Sequence, residues 1–173
     1  MKIEKPLANE YANFYQGYVE QVGDAPVLDY ISDQSERFIS YLKDLPEDQM
    51  SYRYQEDKWV TAEVIGHIID TERIMAYRIL RISRGDKTPI PGFDEKDYVK
   101  YSTFASRSKA SLIREFEALR SSNLELIMNL TEEQSTFTGE SNGSIFSVRA
   151  FVYILAGHVA HHWQILRERY GLN

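Results

Sequence analysis

Residues Ser147–Tyr170 read SVRAFVYILAGHVAHHWQILRERY, and this stretch decides the fold. Its apolar residues recur at helical spacing. Stepping ~100° per residue from His158, Phe151 falls at about 20°, Leu155 at about 60°, and Val148 and Leu166 at about 80°. His162 lies inside that sector, at about 40°, and Val159 at its edge, at about 100°. His161 falls at about −60°, on the polar side with Glu168. The stretch is therefore predicted to be a core-facing helix capped by Ser147 and stopped before Gly171. It turns His158 and His162 inward and leaves His161 at the rim.

Working outward, three more periodic stretches appear. Pro26 precedes Leu28, Ile31, Phe38, Leu42 and Leu45, which ends at Pro46 and predicts a first helix. A second begins at Thr61, taken as its N-cap, and runs through Val64, Ile68, Met75, Ile79 and Ile82 to Gly85. A third spans 106–130, with Leu112, Phe116, Leu119 and Leu126 as its apolar line. Between the second and third lies the irregular link 85–105, rich in proline and glycine, long enough to be functional and to let those helices lie parallel. Loop 131–147 contains Asn142-Gly143, a tight-turn dipeptide that suits a short hairpin. Residues 1–25 form an arm with Tyr11, Phe14, Tyr15 and Tyr18, spaced to pack as a short amphipathic turn on the main body. The expectation is an all-α four-helix bundle forming a single domain over residues 1–173, with 1–25 as the arm and 26–173 as the bundle.

Composition narrows the function classes. The chain has 173 residues, 20 basic against 26 acidic, and a formal charge of −6. Grip on nucleic acid by phosphate neutralisation favours the opposite balance. The basic cluster Arg73, Arg78, Arg81, Arg84 and Lys87 reads as cations at a helix C-terminus. The longest apolar or glycine run, Ala150–Gly157, is eight residues, far short of the ~20 that span a bilayer. No apolar leader segment is visible at the N-terminus, so the cytoplasm is the expected location. There is no cysteine, which excludes disulfides, thiolate-bound metals and a catalytic thiol of the chain's own.

The four histidines, His67, His158, His161 and His162, carry the chemistry. Two imidazoles at i and i+4 facing a bundle interior need a partner, and a metal supplies one. His67 lies on the second helix in a polar stripe with Glu63, Asp70 or Thr71, and Arg78. Three histidines with an open fourth position are the ligand set of a catalytic zinc site. Asp70 or Glu63 in place of His67 would make a two-histidine, one-carboxylate site suited to iron. Either carboxylate could instead orient an imidazole from outside the ligand set. Arg149 is a further candidate, for an anionic substrate group or as a solvated cation. A closed, non-catalytic metal site and an unmetallated interaction module are the competing readings.

WVTAEVIGHIIDTERIMAYRILRISRGDKTPIPGFDE, residues 59–95, together with the stretch quoted first, resembles the DinB/YfiT-like superfamily of metal-dependent enzymes. Glu10-Tyr11 and the loop from Gly85-Asp86 to Phe93-Asp94 resemble its YfiT-related branch. The resemblance implies up-down-down-up topology and a homodimer. It also implies one divalent metal, zinc or nickel with iron or manganese as alternatives, on His67, His158 and His162. It further implies transfer of a low-molecular-weight thiol such as bacillithiol to an electrophilic small molecule, with metal-dependent hydrolysis as the alternative. Val159 departs from the pattern, since relatives commonly carry glutamate there.

Overall fold

The structure, a computed structural model, describes residues 2–172. In chain order its α-helices are α1 (Gln16–Gln21), α2 (Val27–Asp44), α3 (Thr61–Ser83), α4 (Glu95–Tyr101), α5 (Lys109–Met128), α6 (Glu132–Ser135) and α7 (Val148–Glu168). Between α6 and α7 lies the hairpin β1 (Thr138–Ser141) and β2 (Ser144–Ser147). None of the described helices is long and apolar enough to cross a membrane.

The long helices α2, α3, α5 and α7 form the bundle, and side-chain contacts give their directions. Gln34 donates to the Ala156 carbonyl at 2.9 Å, and further along α2 Tyr41 donates at 2.9 Å to the carbonyl of Leu172, just past the end of α7, so α2 and α7 are parallel. Early on α3 His67 meets His158, while late on α3 Arg78 lies over Phe151, so α3 and α7 are antiparallel. Gly66 abuts Phe104 just ahead of α5, and Arg73 meets Glu115, so α3 and α5 are parallel. Gln34 meets Arg120 at 3.2 Å while the Leu45 carbonyl accepts from Lys109, so α2 and α5 are antiparallel. The result is the up-down-down-up order.

A parallel α3–α5 pair obliges the chain between them to travel back along the bundle. The link does so in an ordered way, contrary to the irregular connection expected. Asp94 accepts hydrogen bonds from the Lys96 and Asp97 amides and starts α4. Phe104 then seats on Gly66, where even a Cβ would stand 2.1 Å from its ring.

Three boundaries differ from expectation. Thr61 is the first residue of α3 rather than its cap. Its hydroxyl is buried against the Tyr52 carbonyl, and Glu63 accepts the Val60 amide at 2.8 Å. The third helix starts at Lys109, capped by Ser108, because residues 104–106 form a separate tight turn. Its buried line holds Arg120 and Asn123 between Phe116 and Ile127, whereas Leu119 and Leu126 are only part-buried. Polar residues in a core line defeat an apolar count.

The hairpin forms as expected. Asn142 and Gly143 take φ of 51° and 73°, the left-handed pair that suits a two-residue reversal. The arm also docks. Its helix α1 lies on α7, and a Cβ at Gly157 would meet the Tyr18 carbonyl oxygen at 1.9 Å. Only glycine permits that approach.

Candidate metal centre

Helix α7 is buried on nearly all sides from Val148 to Val159, because α3, α2 and α1 all pack on it. His158 lies in that segment with 6% of its surface exposed, and His67 on α3 has 7%. His162, one turn beyond His158, is half-buried. One ring nitrogen from each of these three residues lies within 4.8 Å of the other two. His67 Nε2 and His158 Nε2 are 3.0 Å apart.

Imidazole nitrogens ~2.0–2.1 Å from a tetrahedral ion stand about 3.4 Å from each other, which lies between the 3.0 Å of the His67–His158 pair and the 4.8 Å that bounds all three. The donor set therefore fits a divalent cation. Burial pushes His67 down to about 4 and also holds His158 and His162 well below the ordinary histidine range. The neighbouring imidazoles act in the same direction. Neutral rings at neutral pH are the form that ligates metal.

His161 does not join them. It is half-buried, with its ring 5.3 Å from that of Tyr18. His161 and His162 are both half-buried, but of the two only His162 clusters with His67 and His158 among the described residues. Val159, placed at the edge of the sector, is fully buried in an apolar cluster with Phe38, Val60 and Leu112.

Two expected supporting carboxylates have other partners. Glu63 caps the start of α3. Asp70 lies 3.9 Å from Arg73, which itself bonds Glu115 at 2.5 Å. Neither belongs to the histidine cluster among the described residues, so the two-histidine, one-carboxylate alternative is not what the fold assembles. Arg149 is likewise engaged. Its guanidinium forks onto Glu10, which also accepts the Ser147 hydroxyl at 2.8 Å. Arg149 is thus neither a substrate anchor nor a solvated cation, but the latch that ties the arm to α7.

The cluster opens into a cavity of about 460 Å³. Tyr18 from the arm and Trp59 before α3 bring aromatic rings against the histidines, with centroids 5.7 Å from His158 and 5.1 Å from His67. Gly92 and Phe93 of the long link form the facing wall, and Gly92 packs so tightly on Asn142 that a Cβ would meet its Oδ1 at 2.2 Å. Arg78 lies further along α3, and Glu95, exposed, is the sole carboxylate among the described lining residues. Tyr18 belongs to the spaced aromatic run of the arm, but no local pattern places it or Trp59 at the site, because contact with His158 or His67 depends on how separate elements dock.

Comparison with known proteins agrees with this architecture. Residues 30–166 match the DinB superfamily. A protein of Oceanobacillus iheyensis described as a "putative metal-dependent hydrolase" is 29% identical over 138 residues, covering 78% of each chain. YfiT from Bacillus subtilis, described as "a probable metal-dependent hydrolase with an unusual four-helix bundle topology", superposes with a TM-score of 0.75 at 15% identity, over 98% of this chain and 95% of that one. A mycothiol-dependent maleylpyruvate isomerase superposes with a TM-score of 0.67 at 11% identity, over 81% of this chain and 60% of its own. At such identities the two superpositions speak to the fold.

Proposed function

Because the chain belongs to the DinB superfamily and folds three neutral imidazoles onto one point, we propose that it is a metal-dependent enzyme acting on a small molecule. His67, His158 and His162 would hold one divalent cation. The observation that carries this reading is their convergence within 4.8 Å at the floor of a cavity. Three nitrogen donors suit zinc or nickel, whereas manganese favours oxygen ligands and iron sites of this kind usually include a carboxylate. When bound, such an ion supplies a Lewis acid and lowers the pKa of a coordinated water or thiol.

The chain's own residues define the rest. Tyr18 and Trp59 shield the histidines from bulk water, and Phe93 gives the opposite wall apolar character. No residue of the chain offers a thiol, and no carboxylate belongs to the histidine cluster among the described residues. The nucleophile therefore comes from outside. A low-molecular-weight thiol transferred to an electrophile is our reading, because a thiolate needs no base beside the histidines. Hydrolysis is the second reading. The description of the Oceanobacillus relative favours it, with Glu95, the sole carboxylate among the described lining residues, as the group to take a proton. The homodimer expected from the family resemblance belongs to the same proposal.

The test is metal analysis of protein purified without chelators or a metal-binding tag, followed by assays on the metal-loaded protein. A panel of small thiols is combined with a model electrophile, and esters and amides are assayed in parallel, with His158→Ala as control. Bound metal and thiol conjugation lost in the variant support the proposal. Hydrolysis without conjugation moves the reaction to the second reading, and failure to bind zinc or nickel overturns both.

A further inference from the structure

Three arginines of the bundle have little exposed side chain, and two have carboxylate partners. Arg120, 2% exposed, donates to Glu72 at 2.5 and 3.0 Å and to Gln34 at 3.2 Å. Arg149 is forked onto Glu10. Arg78 is the exception. It is 3% exposed, yet no carboxylate lies within 4.0 Å of it among the described residues. Its neighbours there are neutral, the Met75 sulfur at 3.8 Å and the Tyr15 side chain, and its Nε has no partner. The rings of Phe93 and Phe151 lie 5.9 and 5.6 Å from its guanidinium carbon. They soften the charge but cannot accept all of its N–H groups. A guanidinium stays protonated, and an unpaired buried charge is costly.

The location gives that cost a use. Arg78 lines the same cavity as the three histidines. Between them on the same face of α3 lies Thr71, whose buried hydroxyl is also without a partner among the described residues. His67 and Arg78 are eleven residues apart, so their Cα atoms are separated by about 16 Å along the helix. The long arginine side chain closes part of that gap, because helical side chains lean towards the N-terminus.

We propose that Arg78 is the anion anchor of this cavity, and that the small molecule bound there carries a carboxylate at the end remote from the histidines. Treating the cavity as the substrate site rests on the function proposed above. The guanidinium forks onto the carboxylate in bidentate fashion, Thr71 offers a further hydrogen bond along the ligand, and Phe93 packs on its apolar middle. The carboxylate supplies the counter-charge that Glu72 supplies to Arg120.

The experiment uses the full chain, both metal-free and zinc-loaded. Isothermal titration follows a series of ω-phenylalkanoates, from phenylacetate to 6-phenylhexanoate, each beside its neutral amide. At the best chain length the acid binds at least about tenfold more tightly than the amide. Arg78→Met abolishes that preference, and because it removes an unpaired buried charge it melts no lower than the parent. The preference persists in metal-free protein and in His158→Ala, which separates the anchor from the metal reading. Equal affinity for acid and amide in the parent protein overturns the proposal. So does a preference that survives Arg78→Met but vanishes with the metal, since the carboxylate is then a metal ligand.

Discussion

The Tyr18 carbonyl oxygen lies so near Gly157 that a Cβ there would stand 1.9 Å from it. This contact seats the arm on α7 one residue before His158, and it brings the Tyr18 ring to 5.7 Å from that imidazole. The arm is therefore part of the site's wall.

Gly157→Ala should accordingly lift the arm. The clash is with main chain, which cannot rotate away as a side chain would. Overpacking of this kind costs roughly 1–3 kcal/mol. Chemical denaturation should show that loss, and hydrogen exchange should show faster exchange across α1 with little change in α5. An unaltered exchange pattern would show that the arm tolerates displacement.

The ligand assignment separates adjacent histidines. His67→Ala and His162→Ala should each weaken zinc binding by more than about 100-fold, beyond the 10–100-fold typical of lost supporting groups. His161→Ala should change it by less than about threefold, within the scatter of surface substitutions. Competition with a chromophoric chelator measures all three. Equal losses for His161 and His162 would mean that the ligand face is misassigned.

Acid should loosen the arm. The Arg149 guanidinium beside Glu10 holds that carboxyl below its ordinary value of 4.5, with the Ser147 hydroxyl adding to the effect. A carboxyl depressed in the folded state contributes its stability in full above the ordinary value. That contribution disappears as pH falls through the lower, folded value. Limited proteolysis within 1–25 should therefore accelerate below about pH 4. Glu10→Gln should remove most of this pH dependence and cost about 2 kcal/mol at neutral pH.

The buried polar network tests how the bundle tolerates charge. Glu72 accepts from Arg120 and, at 2.8 Å, from Asn123, with both members of the ion pair at 2% side-chain exposure or less. Glu72→Ala leaves Arg120 unpaired in the core and should destabilise the protein by about 3–5 kcal/mol. Replacing the pair together, as Glu72→Leu with Arg120→Met, should recover most of that loss. Thermal denaturation of the parent, the single variant and the double variant decides it.

Residue spacing alone determined that α7 is a helix, that His158 and His162 point inward, that His161 does not, and that Asn142-Gly143 reverses the chain. These features follow from near-neighbour geometry, because a helix repeats every ~3.6 residues whatever surrounds it. Tertiary structure alone decided which polar groups meet. Glu10 and Arg149 are 139 residues apart in sequence and Glu72 and Arg120 are 48 apart. No local pattern distinguishes these pairs from Arg78, which has no carboxylate partner among the described residues, or from Glu63, which caps α3. Charge pairing depends on the order in which helices stack around the core, and that order is set by the burial of the whole apolar surface.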